Sequence, residues 1–285
     1  MTLLSDDFIE REYNLRAAFP DHPQWFARWA ADSVTSRQRL SCILDLRYGA
    51  GPKQTLDLFP APRSAATLMF IHGGYWRALD KQEHSFVAGP LVERGVGVAV
   101  INYDLCPDVN VAQIAEQCRE AVLWLKREGA HYSMSTDSLV VAGHSAGGHL
   151  AAMLLATDWA ARGLSAESIV AASAISGVFD LEPLVRVSFN SDLRLDAQQA
   201  RELSPVHLKA QVRAPLLLAA GADETSEFIR QSRVLWRRWP ESRPRGSAGP
   251  LLIPGKHHFS VLSDLGDPAS ELATQLLKLF DGREV

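Results

Sequence analysis

Five stretches of the chain are apolar without polar alternation: Thr67–Ile71, Gly97–Ile101, Ser138–Ala142, Ile169–Ile175 and Pro215–Ala220. Such runs fit strands covered on both faces, as in the interior of a parallel sheet. Ahead of them, Leu40–Tyr48 and Thr55–Phe59 read as amphipathic strands separated by the turn Gly49-Ala-Gly-Pro52, which predicts an antiparallel start to the sheet. A last short apolar run spans Leu251–Pro254. Helical periodicity lies between the strands. Val111–Arg127 places Ile114, Cys118, Ala121, Val122 and Leu125 at spacings of three and four, with Glu116, Arg119, Glu120 and Lys126 outside the stripe. His149–Ala161 reads as a second helix. The alternation predicts an α/β protein with a mainly parallel central sheet and helices on both faces.

Two regions break the alternation. Residues 1–39 carry Tyr13, Phe19, Trp25, Phe26 and Trp29, with Trp25 and Trp29 about one helical turn apart. These aromatics either bury against the body of the domain or belong to a lid. Residues 180–212 form an insertion between two core strands, marked by Pro183 and Pro205, where a helical cap over a pocket would sit. The Gly-, Ser- and Pro-rich stretch Ser242–Pro250 reads as an exposed loop rather than a domain linker. The 285 residues are therefore read as one domain with a small cap made by the N-terminal segment and the insertion.

Composition narrows the classes of function. Hydrophobic residues make up 47% and charged residues 22%, which argues against disorder and coiled-coil rods. The 29 basic and 33 acidic side chains give a net charge of −4, with no Lys/Arg run to track a phosphate backbone. Nucleic acid is excluded as the expected partner. Cys42, Cys106 and Cys118 form no CxxC pair and are read as reduced, buried thiols. Acidic residues interrupt Met1–Phe8, and no segment reaches the roughly 18 apolar residues of a membrane span, so a cytoplasmic protein without membrane association is expected. A homodimer stays open.

The sharpest chemical signal is Gly143-His-Ser-Ala-Gly147, which follows an apolar strand and precedes a helix. In that setting the turn is so tight that side chains at Gly143 and Gly147 would clash, and Ser145 projects its hydroxyl from the helix start. A serine hydroxyl needs a base, and the base an orienting carboxylate. Gly221-Ala-Asp-Glu224 places Asp223 and Glu224 at the end of a core strand, where sites of open parallel sheets lie. Either could serve. The loop Gly255-Lys-His-His-Phe259 supplies the histidine, in the order Ser, acid, His. His72-Gly-Gly-Tyr-Trp76 follows another strand, and the N–H groups of Gly73 and Gly74 with that of Ala146 are the candidate oxyanion hole. His72 itself is read as structural. Tyr75 and Trp76 are candidates for an apolar wall of the substrate site. His144 with His149 and His257 with His258 lack the spacing of a helical metal pair, and no Gly-x-Gly-x-x-Gly follows the first parallel strand. No metal or other cofactor is expected.

Assembled, these residues resemble the kynurenine formamidase (arylformamidase) group of the α/β-hydrolases. Five strings carry the resemblance: His72–Trp76, Tyr103-Asp-Leu-Cys-Pro107, Gly143–Leu150, Ser176-Gly-Val-Phe-Asp-Leu-Glu-Pro183 and Glu227-Phe-Ile-Arg-Gln-Ser232. It implies that the acid three residues before the Glu-Phe pair is Glu224, in place of the family's more usual aspartate, with Asp223 as the alternative. It also implies that the histidine preceding a phenylalanine, His258 rather than His257, is the base. The implied reaction is hydrolysis of the formamide of N-formyl-kynurenine through a formyl-serine, with a small aromatic molecule as partner. A general carboxylesterase is the nearest alternative, since one triad serves any carbonyl. A catalytically silent ligand-binding protein is the alternative of another class.

Overall fold

The computed structural model describes residues 4–62 and 64–281; residues 1–3, the start of the expected cap segment, lie outside that range. Eight strands form one sheet: β1 (Ile43–Arg47), β2 (Thr55–Phe59), β3 (Ala66–Ile71), β4 (Val96–Ile101), β5 (Leu139–His144), β6 (Ala171–Ile175), β7 (Leu216–Gly221) and β8 (Leu251–Ile253). Their order across the sheet is β1-β2-β4-β3-β5-β6-β7-β8. β2 pairs antiparallel with both β1 and β4, and every other pairing is parallel. The apolar runs behave as their patterning predicts, since β3, β4, β5 and β6 are buried along their whole length. β1 is shorter than the amphipathic stretch that contains it, and its pairing with β2 shifts register between Ile43 and Leu46.

The helix Val111–Glu128 opens on a capping box, in which Asn110 Oδ1 accepts from Gln113 N and Gln113 Oε1 accepts from Asn110 N. Its predicted stripe, Ile114, Cys118, Ala121, Val122 and Leu125, is buried. The helix after β5 runs over Ala146–Leu155, entirely buried, and so begins earlier and ends sooner than the His149–Ala161 expected; a separate turn of 3₁₀ helix covers Ala160–Arg162. Cys106 and Cys118 are buried and Cys42 only partly, a correction to the expectation for all three; none is bridged.

Register places the site. Ile71 is level with Gly143, Gly143 with Ala174, Ile175 with Ala219 and Gly221 with Ile253. The parallel strands β3, β5, β6, β7 and β8 therefore end along one edge, and the loops leaving them carry Gly73 and Gly74, Ser145, Ser176, Glu224 and His258 respectively. Crossing helices force this geometry, because parallel strands all present their carboxyl ends on the same side. The N-terminal helices Asp6–Tyr13 and His22–Arg39 and the short helices of residues 182–207 lie outside the sheet's helical layers. No helix among the described residues is long and apolar enough to cross a membrane.

Candidate active site

The turn between β5 and its helix is as tight as the glycines require. A Cβ at Gly143 would lie 2.2 Å from Gly147 O, and one at Gly147 would lie 2.0 Å from Ile71 O. Ser145 itself takes φ 56°, ψ −119°, a strained conformation for a residue with a side chain, and its N–H donates to Ile175 O at 2.8 Å. The residue is 4% exposed, yet its Oγ is neither hydrogen-bonded to another described residue nor sealed from the cavity that Ser145 lines.

Glu224 and His258 meet as the strand ends predict. His258 Nδ1 lies 2.9 Å from Glu224 Oε2, and both side chains are buried. A carboxylate can only accept, so Nδ1 carries the proton and Nε2 is left toward the cavity, which His258 also lines. The other carboxylate oxygen, Oε1, accepts from Gly221 N at 2.8 Å and from Ser176 Oγ at 2.5 Å. Asp223 is exposed, its side chain making no hydrogen bond among the described residues, while its N–H donates to Lys256 O. His257 is turned the other way: its ring stacks on Phe19 with centroids 4.7 Å apart, and Nε2 lies 3.1 Å from Asp21 Oδ2.

The loop after β3 is pinned through its carbonyls. Tyr103 Oη donates to His72 O at 2.9 Å and to Gly73 O at 3.2 Å, and His72 Nδ1 lies 2.8 Å from Gly73 O. In a trans peptide the N–H points opposite to the C=O, so the N–H groups of Gly73 and Gly74 are directed away from Tyr103. Gly74 has φ +103° and lines the cavity, and a Cβ there would lie 2.1 Å from Ala78 O. Gly73 sits behind it against the serine turn, with the place of its missing Cβ 3.1 Å from Ser145 Cβ. Ala146 opens its helix, where the first N–H groups have no intrahelical acceptor. His72 is fully buried, and its Nε2 lies 2.9 Å from Asn102 Oδ1, the structural placement expected.

The cavity is small, and its wall is largely aromatic and aliphatic: Leu15, Phe26, Trp29, Leu79, Phe189 and Phe259. Tyr75 lines it as expected, its hydroxyl donating to Tyr13 O at 2.8 Å. Trp76 does not. Both residues have left-handed backbone, φ 50° and 56°, and the chain turns the Trp76 indole into the core, fully buried and edge-on to His149 at 5.0 Å. The wall residues Leu15, Phe26, Trp29 and Phe189 come from the N-terminal segment and the 180–212 insertion, so both regions do cover the site. Tyr13 is buried on the body of the protein instead, and Trp25 is partly exposed with Nε1 donating to Asp21.

Two of the sequence strings turn out to be one interlock. Gln231 Oε1 accepts from the N–H groups of Phe179 and Asp180, each at 2.8 Å, and Gln231 Nε2 donates to Tyr13 Oη, which in turn donates to Glu227 Oε2 at 2.7 Å. Burial and the Glu227 charge push the Tyr13 phenol well up, so it stays protonated. The residues whose roles sequence reasoning passed over are Ser176, Tyr103 and His144; the first two open quoted strings, and His144 lies inside the nucleophile string, where it is weighed only as a metal ligand.

The BD-FAE family profile matches residues 56–238. A kynurenine formamidase of Salmo salar is 30% identical over 97% of this chain and 97% of its own. This chain belongs to that family. A kynurenine formamidase of Drosophila melanogaster is 30% identical over 84% of this chain and 82% of its own. Among solved structures, a candidate thioesterase of Silicibacter sp. superimposes with a TM-score of 0.79 at 33% identity, covering 96% of this chain and 98% of its own. Esterase B of Lactobacillus rhamnosis shares the fold, with a TM-score of 0.70 at 20% identity over 93% of this chain and 96% of its own. The chain is thus an α/β-hydrolase, an enzyme that hydrolyses a formamide or an ester.

Proposed function

We propose that the enzyme removes the formyl group of N-formyl-kynurenine, with Ser145 as nucleophile, His258 as base and Glu224 as the acid that orients it. The observation that carries the reading is the Glu224–His258 bond, which fixes the tautomer that leaves Nε2 for the serine proton, at the rim of an aromatic cavity. In the first half-reaction Ser145 Oγ attacks the formyl carbon while His258 Nε2 takes the hydroxyl proton. The oxyanion rests on the N–H groups of Gly73, Gly74 and Ala146, each such donor contributing ~3 kcal/mol. Collapse breaks the C–N bond, and the proton on His258 passes to the departing arylamine. Water, deprotonated by His258, then releases formate from the formyl-serine.

The relatives named kynurenine formamidase and the aromatic wall support this substrate. The Silicibacter neighbour keeps a second reading in view, an enzyme for small esters or thioesters served by the same residues. Unbridged cysteines fit the reducing cytoplasm as its compartment. The test compares N-formyl-kynurenine with p-nitrophenyl acetate for the parent and Ser145→Ala. A much higher kcat/KM for the formamide, lost with the serine, supports the formamidase. Cleavage of the ester alone leaves an esterase. Failure of a fluorophosphonate to label Ser145 in folded protein would argue for a silent binding protein.

A further inference from the structure

The cavity wall holds two guanidinium groups, those of Arg16 and Arg77, and among the described residues that line it there is no carboxylate. The two arginines differ in their commitments. Arg77 is ion-paired with Asp192 and lies over the Phe189 ring, 5.1 Å from its centroid. Arg16 has no ion pair and no side-chain hydrogen bond among the described residues; its guanidinium lies 5.8 Å from the centroid of Phe26, another wall residue. The residue is exposed at the rim of the cavity, so its guanidinium is open both to solvent and to a ligand. What burial it has and the neighbouring positive charge of Arg77 both weigh against the protonated form, yet a guanidinium remains charged at any working pH.

An unpaired guanidinium held beside a second one, at the mouth of an apolar pocket, is a receptor for an anion, and a carboxylate matches its planar fork. We infer that Arg16 is a specificity-determining residue that binds a carboxylate carried by the substrate on the side away from the scissile carbonyl. Arg77, already neutralised by Asp192, adds field and orientation rather than the principal bond. The aromatic wall holds the ring, Ser145 meets the carbonyl and Arg16 selects the charged tail. The inference deepens the formamidase reading and rests on it for the natural substrate, an aryl formamide with an amino-acid tail. It predicts equally that anionic aryl esters are preferred over neutral ones.

The test measures selectivity within two substrate pairs alike except for charge: N-formyl-kynurenine with its carboxamide, and 3-(4-acetoxyphenyl)propionate with its carboxamide. In the parent, kcat/KM favours the carboxylate of each pair. Arg16→Gln lowers that anion-to-amide ratio about tenfold or more, chiefly through KM, and Arg16→Lys recovers part of it. A variant that slows both members equally, or neither, overturns the inference, because general damage to the cap does not distinguish charge. The outcomes are separable from the formamidase reading. If the formamides are not cleaved but the ester ratio collapses in Arg16→Gln, the carboxylate site stands and the formamidase falls; if the formamide is cleaved with ratios unmoved, the reverse holds.

Discussion

The His144 ring lies 4.7 Å from that of His258, and its Nε2 is 2.8 Å from the His258 backbone carbonyl. A carbonyl only accepts, so His144 is held as the Nε2–H tautomer and fixes the backbone that carries the base. Burial, and then the charge of His258, hold its pKa well below the usual histidine range, so it stays neutral while His258 cycles. His144→Phe keeps ring volume and loses the donor. We expect kcat to fall about tenfold with KM held, and His144→Gln, which can still donate, to recover part. The acid limb of kcat/KM should remain that of a single proton in the parent. Two protons on that limb, or an unaltered kcat in His144→Phe, would remove His144 from the positioning of the base.

The two adjacent carboxylates are distinguished by what they touch. Glu224 accepts three hydrogen bonds, from His258, Gly221 and Ser176, whereas Asp223 points outward. Glu224→Gln would present an amide to Nδ1 and favour the wrong tautomer, with an expected loss in kcat on the order of 10³-fold or more, as in other triads. Asp223→Asn should leave kcat within about twofold, as an exposed side chain with no partner predicts. Steady-state kinetics on one acyl substrate decides the ranking, and the opposite order would move the acid to Asp223.

Much of this site could be read from the chain because its chemistry demands local features: a nucleophile turn in which a Cβ at either glycine would meet backbone at about 2 Å, and an acid and a histidine just after strand ends. The residues alone leave Glu224 and Asp223 open and the resemblance points to Glu224; the fold separates them physically, since both follow Gly221 in one loop and only the backbone path decides which turns inward. Trp76 was misplaced for a similar reason. It follows the glycine pair, yet left-handed backbone at Tyr75 and Trp76 sends the two aromatics to different environments, one to the cavity and one to the core. Ser176, Tyr103 and His144 act through contacts that span 48, 31 and 114 positions, beyond the reach of any local pattern.

A stability prediction comes from Lys81, whose side chain is 2% exposed. Its Nζ lies 2.6 Å from Asp57 Oδ1, equally buried on β2, and 2.6 Å from Asp45 Oδ1. Removing the cation leaves Asp57 as an uncompensated buried charge, so Lys81→Met should destabilise by about 3–5 kcal/mol. Urea titration would register this as a lower midpoint at unchanged slope. The double variant Lys81→Met, Asp57→Leu should recover a large part of the loss, because the penalty belongs to the orphaned carboxylate more than to the lost pair. No recovery would point to packing of the lysine stem instead.

Acid should loosen the fold before it protonates most carboxylates, and the cause is buried imidazole. His149 is enclosed between Trp76 and the Leu203 carbonyl, to which its Nε2 donates at 2.7 Å, and burial pushes its pKa down to about 4. His84 is pushed down to about 3, by burial first and the nearby His72 second. In the unfolded chain both return to the ordinary value near 6.5. A depressed folded pKa means that the unfolded state binds the proton first. The stabilisation is therefore complete above pH ~6.5 and is lost as pH falls toward 4 for His149 and toward 3 for His84, by on the order of 3 kcal/mol for the former. Thermal unfolding followed from pH 7 to 4.5 should show Tm falling through this window. His149→Gln, which can donate to Leu203 O but does not titrate, should start from a lower Tm at pH 7 and fall less steeply. Parallel curves for parent and variant would mean that the acid sensitivity arises elsewhere.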